Sequence, residues 1–278
     1  MIIWLASYPK SGNTLLRSIL ATYFFSEDGN FNFNHLYKIG QFPNTNAFLK
    51  LGLDVSNENK IFENYIKVQT EVINEDKSLK FLKTHSSLVK INNCNFTDLK
   101  NTAGAIYVIR DPRNVANSLS HHMGIDEDKA VNVLLNNKEI IPKTDKTTKT
   151  FLGSWKIHYN SWKNLNDKTM LIKYEDLIIK KKTLVIKIFK HFNKLEVYNT
   201  KLDMVKLNKV LKSTEFKNMQ KLEKIQDFTE AMIDKKTGTR KSFFRLGPDN
   251  DWKKNLKKKN IEKIEKAFEK EMIELGYL

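Results

Sequence analysis

The feature that most constrains the fold is a pattern that opens the chain and then recurs: a short unbroken apolar run, a loop of small and charged residues, and an amphipathic helix. Ile2-Ile-Trp-Leu-Ala6 has no polar alternation, as befits a strand covered on both faces. Ser7–Asn13 holds Pro9 and Gly12 among small polar residues and reads as a loop. From Thr14 onward, Leu15, Leu16, Ile19, Leu20, Tyr23 and Phe24 recur at helical spacing. Three later apolar runs also end in charged residues. Lys80–Leu82 runs into Lys83-Thr84-His85, Ala105–Ile109 into Arg110-Asp111-Pro112-Arg113, and Met170–Lys173 into Tyr174-Glu175-Asp176. Helical patterns cover Ile61–Val72, Asn114–His121, Phe151–Leu165, Thr183–Phe192 and Asn260–Leu275. This alternation predicts an α/β fold, with a central parallel sheet flanked by helices. Ligands of such sheets bind at the carboxyl ends of the strands, where this chain places its charged residues.

The chain's 278 residues, with 10 Gly and 5 Pro and no repeat, are read as a single domain over 1–278. Its net charge of +16 suits an anionic ligand, a nucleic acid or an acidic membrane surface. The lysines are scattered along solvated helix faces, however, and no nucleic-acid-binding module is recognisable, so no nucleic-acid partner is expected. Cys94 is the single cysteine; one thiol makes no internal disulfide, which points to a reducing, cytoplasmic setting. No run approaches the roughly 18 apolar residues of a membrane span. His121 and His122 are adjacent, point apart on a helix and have no partner ligands at metal spacing, so no metal is expected.

The first loop is an anion cradle in outline. Tyr8-Pro-Lys-Ser-Gly-Asn-Thr14 joins a buried strand to a helix N-terminus, where free backbone N–H groups and the positive helix end favour a phosphate. Gly12 lets the backbone approach the anion, Ser11 and Thr14 add hydroxyls, and Lys10 adds a charge. The loop is P-loop-like but lacks the G-x-x-x-x-G-K-[ST] order, since Asn13 follows Gly12. That disfavours the alternative of a nucleotide kinase or hydrolase.

Six blocks in order resemble the sulfotransferases that use 3′-phosphoadenosine 5′-phosphosulfate (PAPS), particularly the cytosolic type. Tyr8–Thr14 is similar to the loop that holds the 5′-phosphosulfate. Phe81-Leu-Lys-Thr-His85 is similar to the catalytic stretch, and Tyr107–Ser118 to the 3′-phosphate segment, with Arg110 and Ser118 eight residues apart. Leu171–Asp176 resembles the strand end that sets a tyrosine, here Tyr174, by the adenosine. Thr214–Met219 resembles the segment that gives adenine a threonine and an aromatic, here Thr214 and Phe216. Phe244-Arg-Leu-Gly-Pro-Asp-Asn-Asp-Trp252 resembles the C-terminal motif that closes over the 3′-phosphate, with Arg245 and Gly247.

The resemblance implies PAPS as cofactor, adenosine 3′,5′-bisphosphate (PAP) as product, and sulfuryl transfer to a hydroxyl, or an amine, of an acceptor that the sequence does not identify. It implies a cofactor site built from Lys10, Ser11, Gly12, Asn13, Thr14, Arg110, Ser118, Tyr174, Thr214, Phe216, Arg245 and Gly247. It assigns the general base to His85, with Lys10 at the leaving oxygen and Lys83 at the sulfuryl oxygens. Three positions depart from the family pattern. Leu15 stands where a tryptophan is usual, Leu246 replaces a lysine, and Asn250 replaces a glycine, which is tolerable if that position needs positive φ. The acceptor pocket is expected from Phe24–Lys60, Ser86–Lys100, His121–Thr150 and Gln220–Phe243. Trp155 and Trp162, seven apart on one helix face, read as core. The oligomeric state is left open.

Overall fold

The computed structural model describes every residue except 164, 200, 227 and 234–237. Its main strands are β1 (Ile2–Ser7), β2 (Gly40–Gln41), β3 (Lys80–Thr84), β4 (Thr102–Ile109) and β5 (Thr169–Lys173). They form one sheet in the order β2-β3-β1-β4-β5, with every pairing parallel. The principal helices are α1 (Asn13–Phe25), α2 (Pro112–Met123), α3 (Trp155–Lys163), α4 (Tyr174–Ile179), α5 (Lys181–Lys194), α6 (Phe216–Ile225) and α7 (Lys258–Glu274). Among the described residues no helix is long and apolar enough to cross a membrane.

The unbroken apolar run of β1 follows from its central place. Alternate side chains of a strand face opposite ways, and both faces here are covered. Ile2, Trp4 and Ala6 join Val115 of α2, Trp155 and Trp162 of α3 and Phe268 of α7. Ile3 and Leu5 join Leu16 and Ile19 of α1 and Ile188 and Phe192 of α5. The α/β fold expected from the sequence is the one observed. Two helical expectations are corrected. Ile61–Val72 is not one helix, because Asn64 (φ −104°, ψ 7°) separates two short helices, and a wider turn follows at Gln69–Ile73. The Phe151–Leu165 pattern becomes helical only at Trp155. Before it, Thr150–Phe151 pairs with Ile140–Ile141 and Gly153 takes φ +65°.

Helix α3 fixes the end of β3. Trp162 Nε1 donates to the Ser86 carbonyl at 3.0 Å, and His158 Nε2 donates to the His85 carbonyl at 3.2 Å. Trp155 and Trp162 are both fully buried core residues, but the Trp155 indole N–H has no partner. Phenylalanine at 155 therefore removes no hydrogen bond, whereas phenylalanine at 162 orphans a buried carbonyl. Trp162→Phe should cost about 1–3 kcal/mol more than Trp155→Phe in urea unfolding. Equal losses would show that the Ser86 bond contributes nothing.

Candidate active site

The loop after β1 is shaped by backbone conformation. Lys10 and Gly12 both have left-handed φ, +66° and +103°. A Cβ on Gly12 would lie 2.4 Å from Tyr174 Cδ2, so this turn needs glycine for both φ and space. Asn13 acts as a strut: its Nδ2 donates to the Leu5 carbonyl at 2.8 Å. Ser11 Oγ is buried with no partner. The Thr14 hydroxyl donates to Glu230 at 3.1 Å. The Lys10 ammonium lies 3.7 Å from the Phe243 ring centroid. Burial, chiefly, pushes its pKa down to about 8, with Arg110 and Lys83 adding repulsion and Glu230 opposing them.

Arg110 follows β4 and is 5% exposed. Its fork donates to the carbonyls of Lys10 (3.2 Å) and Gly247 (3.3 Å), its face stacks 4.2 Å over Tyr174, and its Nε has no partner. It makes no local pair with Asp111. That carboxylate caps α2 and is taken by Arg113, at 2.7 Å between Nη2 and Oδ2. Ser118, two turns into α2, opens on the same cavity as Arg110.

His85 is fixed by its backbone and by its ring. Nδ1–H donates to the Ser7 carbonyl at 2.7 Å, which leaves the lone pair on Nε2. Burial, then the neighbouring Lys83, holds its pKa well below the ordinary histidine value, so the ring is neutral at pH 7. Lys83, one strand position from Thr84, is also depressed by burial, though Glu230 opposes this.

The last segment covers the cleft. Phe216 opens α6, and its ring lies where a Cβ on Gly247 would be, 2.2 Å from that position. Gly247 has φ +52°, but Asn250 has φ −70°, so position 250 does not call for positive φ and the condition raised for asparagine there does not arise. Asn250 works through its amide, which donates to the Asn114 carbonyl at 2.9 Å and accepts from Asn117 Nδ2. Arg245 and Leu246 line the cavity, as does Leu15. Thr214 does not. It is fully buried, and its hydroxyl is spent on the Val210 carbonyl at 2.7 Å.

Ser11 is fully buried beneath its loop, and every other expected site residue except Thr214 lines one cavity of about 550 Å³. Among the described residues lining it, Lys10, Lys83, Arg110, Lys181, Lys241 and Arg245 face only two carboxylates, Glu139 and Glu230. The remaining wall is largely apolar, with Met123, Val133, Ile140, Ile141, Pro142 and Leu152. Of the four expected wall segments, His121–Thr150 and Gln220–Phe243 contribute. Phe24–Lys60 and Ser86–Lys100 contribute none of the described lining residues. Part of Gln220–Phe243, residues 227 and 234–237, lies outside the described residues. Sequence reasoning missed Arg17, Lys181 and Glu230. Arg17 had a signal in its i+3 spacing from Thr14; Glu230, one of several acidic residues between Glu223 and Asp234, had none.

The family model described as "Sulfotransferase domain" matches residues 2–276. Among solved structures, mouse sulfotransferase SULT7A1 complexed with PAP is 19% identical with a TM-score of 0.57, covering 97% of this chain and 83% of that one. Retinol dehydratase in complex with androsterone and inactive cofactor PAP is 14% identical with a TM-score of 0.57, covering 98% and 80%. Its complex with retinol and PAP, at 15% identity and a TM-score of 0.57, covers 98% and 81%. At these identities the likeness to the solved structures is one of fold. No curated protein matches the sequence. The family model, which spans almost the whole chain, decides the matter: this chain belongs to the sulfotransferase domain family.

Proposed function

We propose that residues 1–278 act as one sulfotransferase domain that binds PAPS in this cavity and passes its sulfuryl group to a hydroxyl of an acceptor with an apolar body. The observation that carries this reading is a set of unpartnered buried donors at the strand ends. Ser11 Oγ, beneath the first loop, and Arg110 Nε have no partner, beside a cleft where cations outnumber carboxylates. Buried donors left without acceptors are costly, and an anion with several oxygens removes that cost. The residues present therefore fit the cofactor.

Bound PAPS supplies an activated sulfuryl group on a phosphate leaving group. The loop Lys10–Thr14 holds the 5′ end, with the Lys10 charge opposing the charge that develops on the leaving oxygen. Lys83 faces the sulfuryl oxygens. Arg110, Ser118 and Arg245 hold the 3′-phosphate, and Tyr174, Phe216 and Gly247 enclose the adenosine. With Leu15 in place of a ring, Phe216 is the stacking face. Neutral His85, lone pair on Nε2, takes the proton of the acceptor hydroxyl. The apolar wall of Met123, Val133, Ile140 and Leu152 suits an acceptor that is not itself an anion. A fold held without disulfides by a chain with one free cysteine, Cys94, agrees with a cytoplasmic setting.

PAP should raise the melting temperature well above the rise given by AMP, because only PAP engages Arg110, Ser118 and Arg245. Equal shifts would remove the 3′-phosphate assignment. The pH dependence of PAP binding follows from Lys10. Its ammonium, with a pKa near 8 in the free protein, is lost as pH rises, so affinity should be level around pH 7, above the second ionisation of the ligand's phosphates at about 6. Above about 8 it should fall by up to tenfold per unit, with a proton taken up on binding there. Arg at position 10 should abolish that slope; a slope that survives Lys10→Arg excludes Lys10 as its source. In single-turnover transfer, His85→Ala should lose about 10²–10⁴-fold on an aliphatic alcohol and less on an acidic phenol. Lys10→Ala should lose on the order of 10²–10³-fold on both. A His85→Ala defect independent of acceptor acidity would make His85 a positioning residue.

A further inference from the structure

Among the described residues, Glu230 is a carboxylate that bonds directly to the cation cluster. Its carboxylate accepts from Arg17 Nη2 at 2.5 Å, from the Thr14 hydroxyl at 3.1 Å and from Lys83 Nζ at 3.4 Å. Thr14 and Lys83 belong to the cofactor site proposed above. Arg17 does not, although it stands one turn further along α1 on the same side as Thr14. Its side chain is 4% exposed, and its Nε finds no acceptor. Glu230, by contrast, comes from the covering segment, 213 residues further along the chain, and its side chain remains 27% exposed.

A buried arginine with an unfilled donor, beside a threonine and a lysine, makes a seat for an anionic oxygen with at least one hydrogen bond to spare. A carboxylate on a more exposed segment is the easiest anion for the protein itself to place there. Glu230 is not a rival proton acceptor to His85. Burial opposes its ionisation, but Lys83, Arg17 and the hydrogen bonds from Arg17 and Thr14 outweigh it and hold the carboxyl far below its ordinary range. Such a group is a weak base.

We propose that Arg17, with Thr14 and Lys83, forms the seat of an anionic oxygen at the cofactor's 5′-phosphate end. Glu230 stands in for that oxygen until the cofactor displaces it. The inference rests on the cofactor assignment above. It adds Arg17 as a binding residue and makes Glu230 an internal competitor. Two anions cannot share these three donors without strong repulsion at contact distance, so cofactor entry and the Glu230 contacts exclude each other.

Calorimetric titration of the full chain with PAP tests this. Glu230→Gln keeps the shape of a mostly buried side chain and removes the competing charge, so PAP should bind about tenfold more tightly than to the wild type. Adding Arg17→Lys to Glu230→Gln should forfeit that gain, because a point charge replaces the fork. A wild type that binds PAP, together with a Glu230→Gln variant that binds no tighter, overturns the displacement and leaves the cofactor assignment standing. A wild type that does not bind PAP overturns both. If the added Arg17→Lys change keeps the full tenfold gain, Arg17 is excluded from the seat. The Glu230→Gln titration decides the displacement whether or not the Arg17 variant folds.

Discussion

The structure is organised around positive charge held out of water. Strands β3, β1 and β4 are neighbours in the sheet, and neighbouring strands lie about 4.8 Å apart. Their carboxyl ends and the loops leaving them carry Lys83 and His85, Lys10, and Arg110. Three strand ends side by side confine this charge to a width of about 10 Å, near one Debye length at moderate salt. Burial then depresses both Lys10 and Lys83. The surroundings offset this with aromatic faces and one carboxylate: Phe243 beneath Lys10, Tyr174 beneath Arg110, and Glu230 beside Lys83. Cation–π contacts of this kind are worth most where water is excluded.

The catalytic stretch depends on a second, uncharged network. The Tyr107 hydroxyl donates to His158 Nδ1 at 2.8 Å, and His158 Nε2 donates onward to the His85 carbonyl. Burial pushes the His158 pKa down to about 3, which keeps the ring neutral and its two nitrogens distinct, one accepting and one donating. Strand β4 thus reaches across helix α3 to hold the end of β3. With the Nδ1–H bond to Ser7, this fixes both the backbone and the ring of His85, so little reorganisation remains for a proton-accepting group to undergo.

Much of this was legible in the sequence because the physics is local. A strand buried on both faces must be an unbroken apolar run, so β1 and β4 were readable, as were the charged loops that follow strands. Arg110, Tyr174, Phe216 and Gly247, named from separate motifs, line the same cavity. What was not legible depends on long-range competition. Thr214 looked like a ligand, but a helix-end hydroxyl can bond the carbonyl four residues back, and here it does. Asn250 looked like a glycine substitute and instead uses its amide. The two-residue strand β2 has no periodicity to detect, and Glu230 meets Arg17 only through the folding of a distant segment. Arg17 shows the limit of spacing arguments, since i+3 marks one face of any helix without saying what lies opposite.

Tyr174 has Gly12 against one part of its ring and Arg110 stacked on it. The ring therefore fills the space that a side chain at position 12 would need, while serving as the platform for a cation from another strand. Inheritance at these positions is coupled in a fixed order. A lineage could accept a side chain at 12 only after the ring at 174 had become smaller, and that step would first leave Arg110 without its support. Each single change is penalised, and the left-handed φ at 12 still penalises a side chain there after the ring has shrunk. The loop, the ring and the arginine should therefore drift through evolution as one unit, and a homologue that varies at one of the three should carry a compensating change at another.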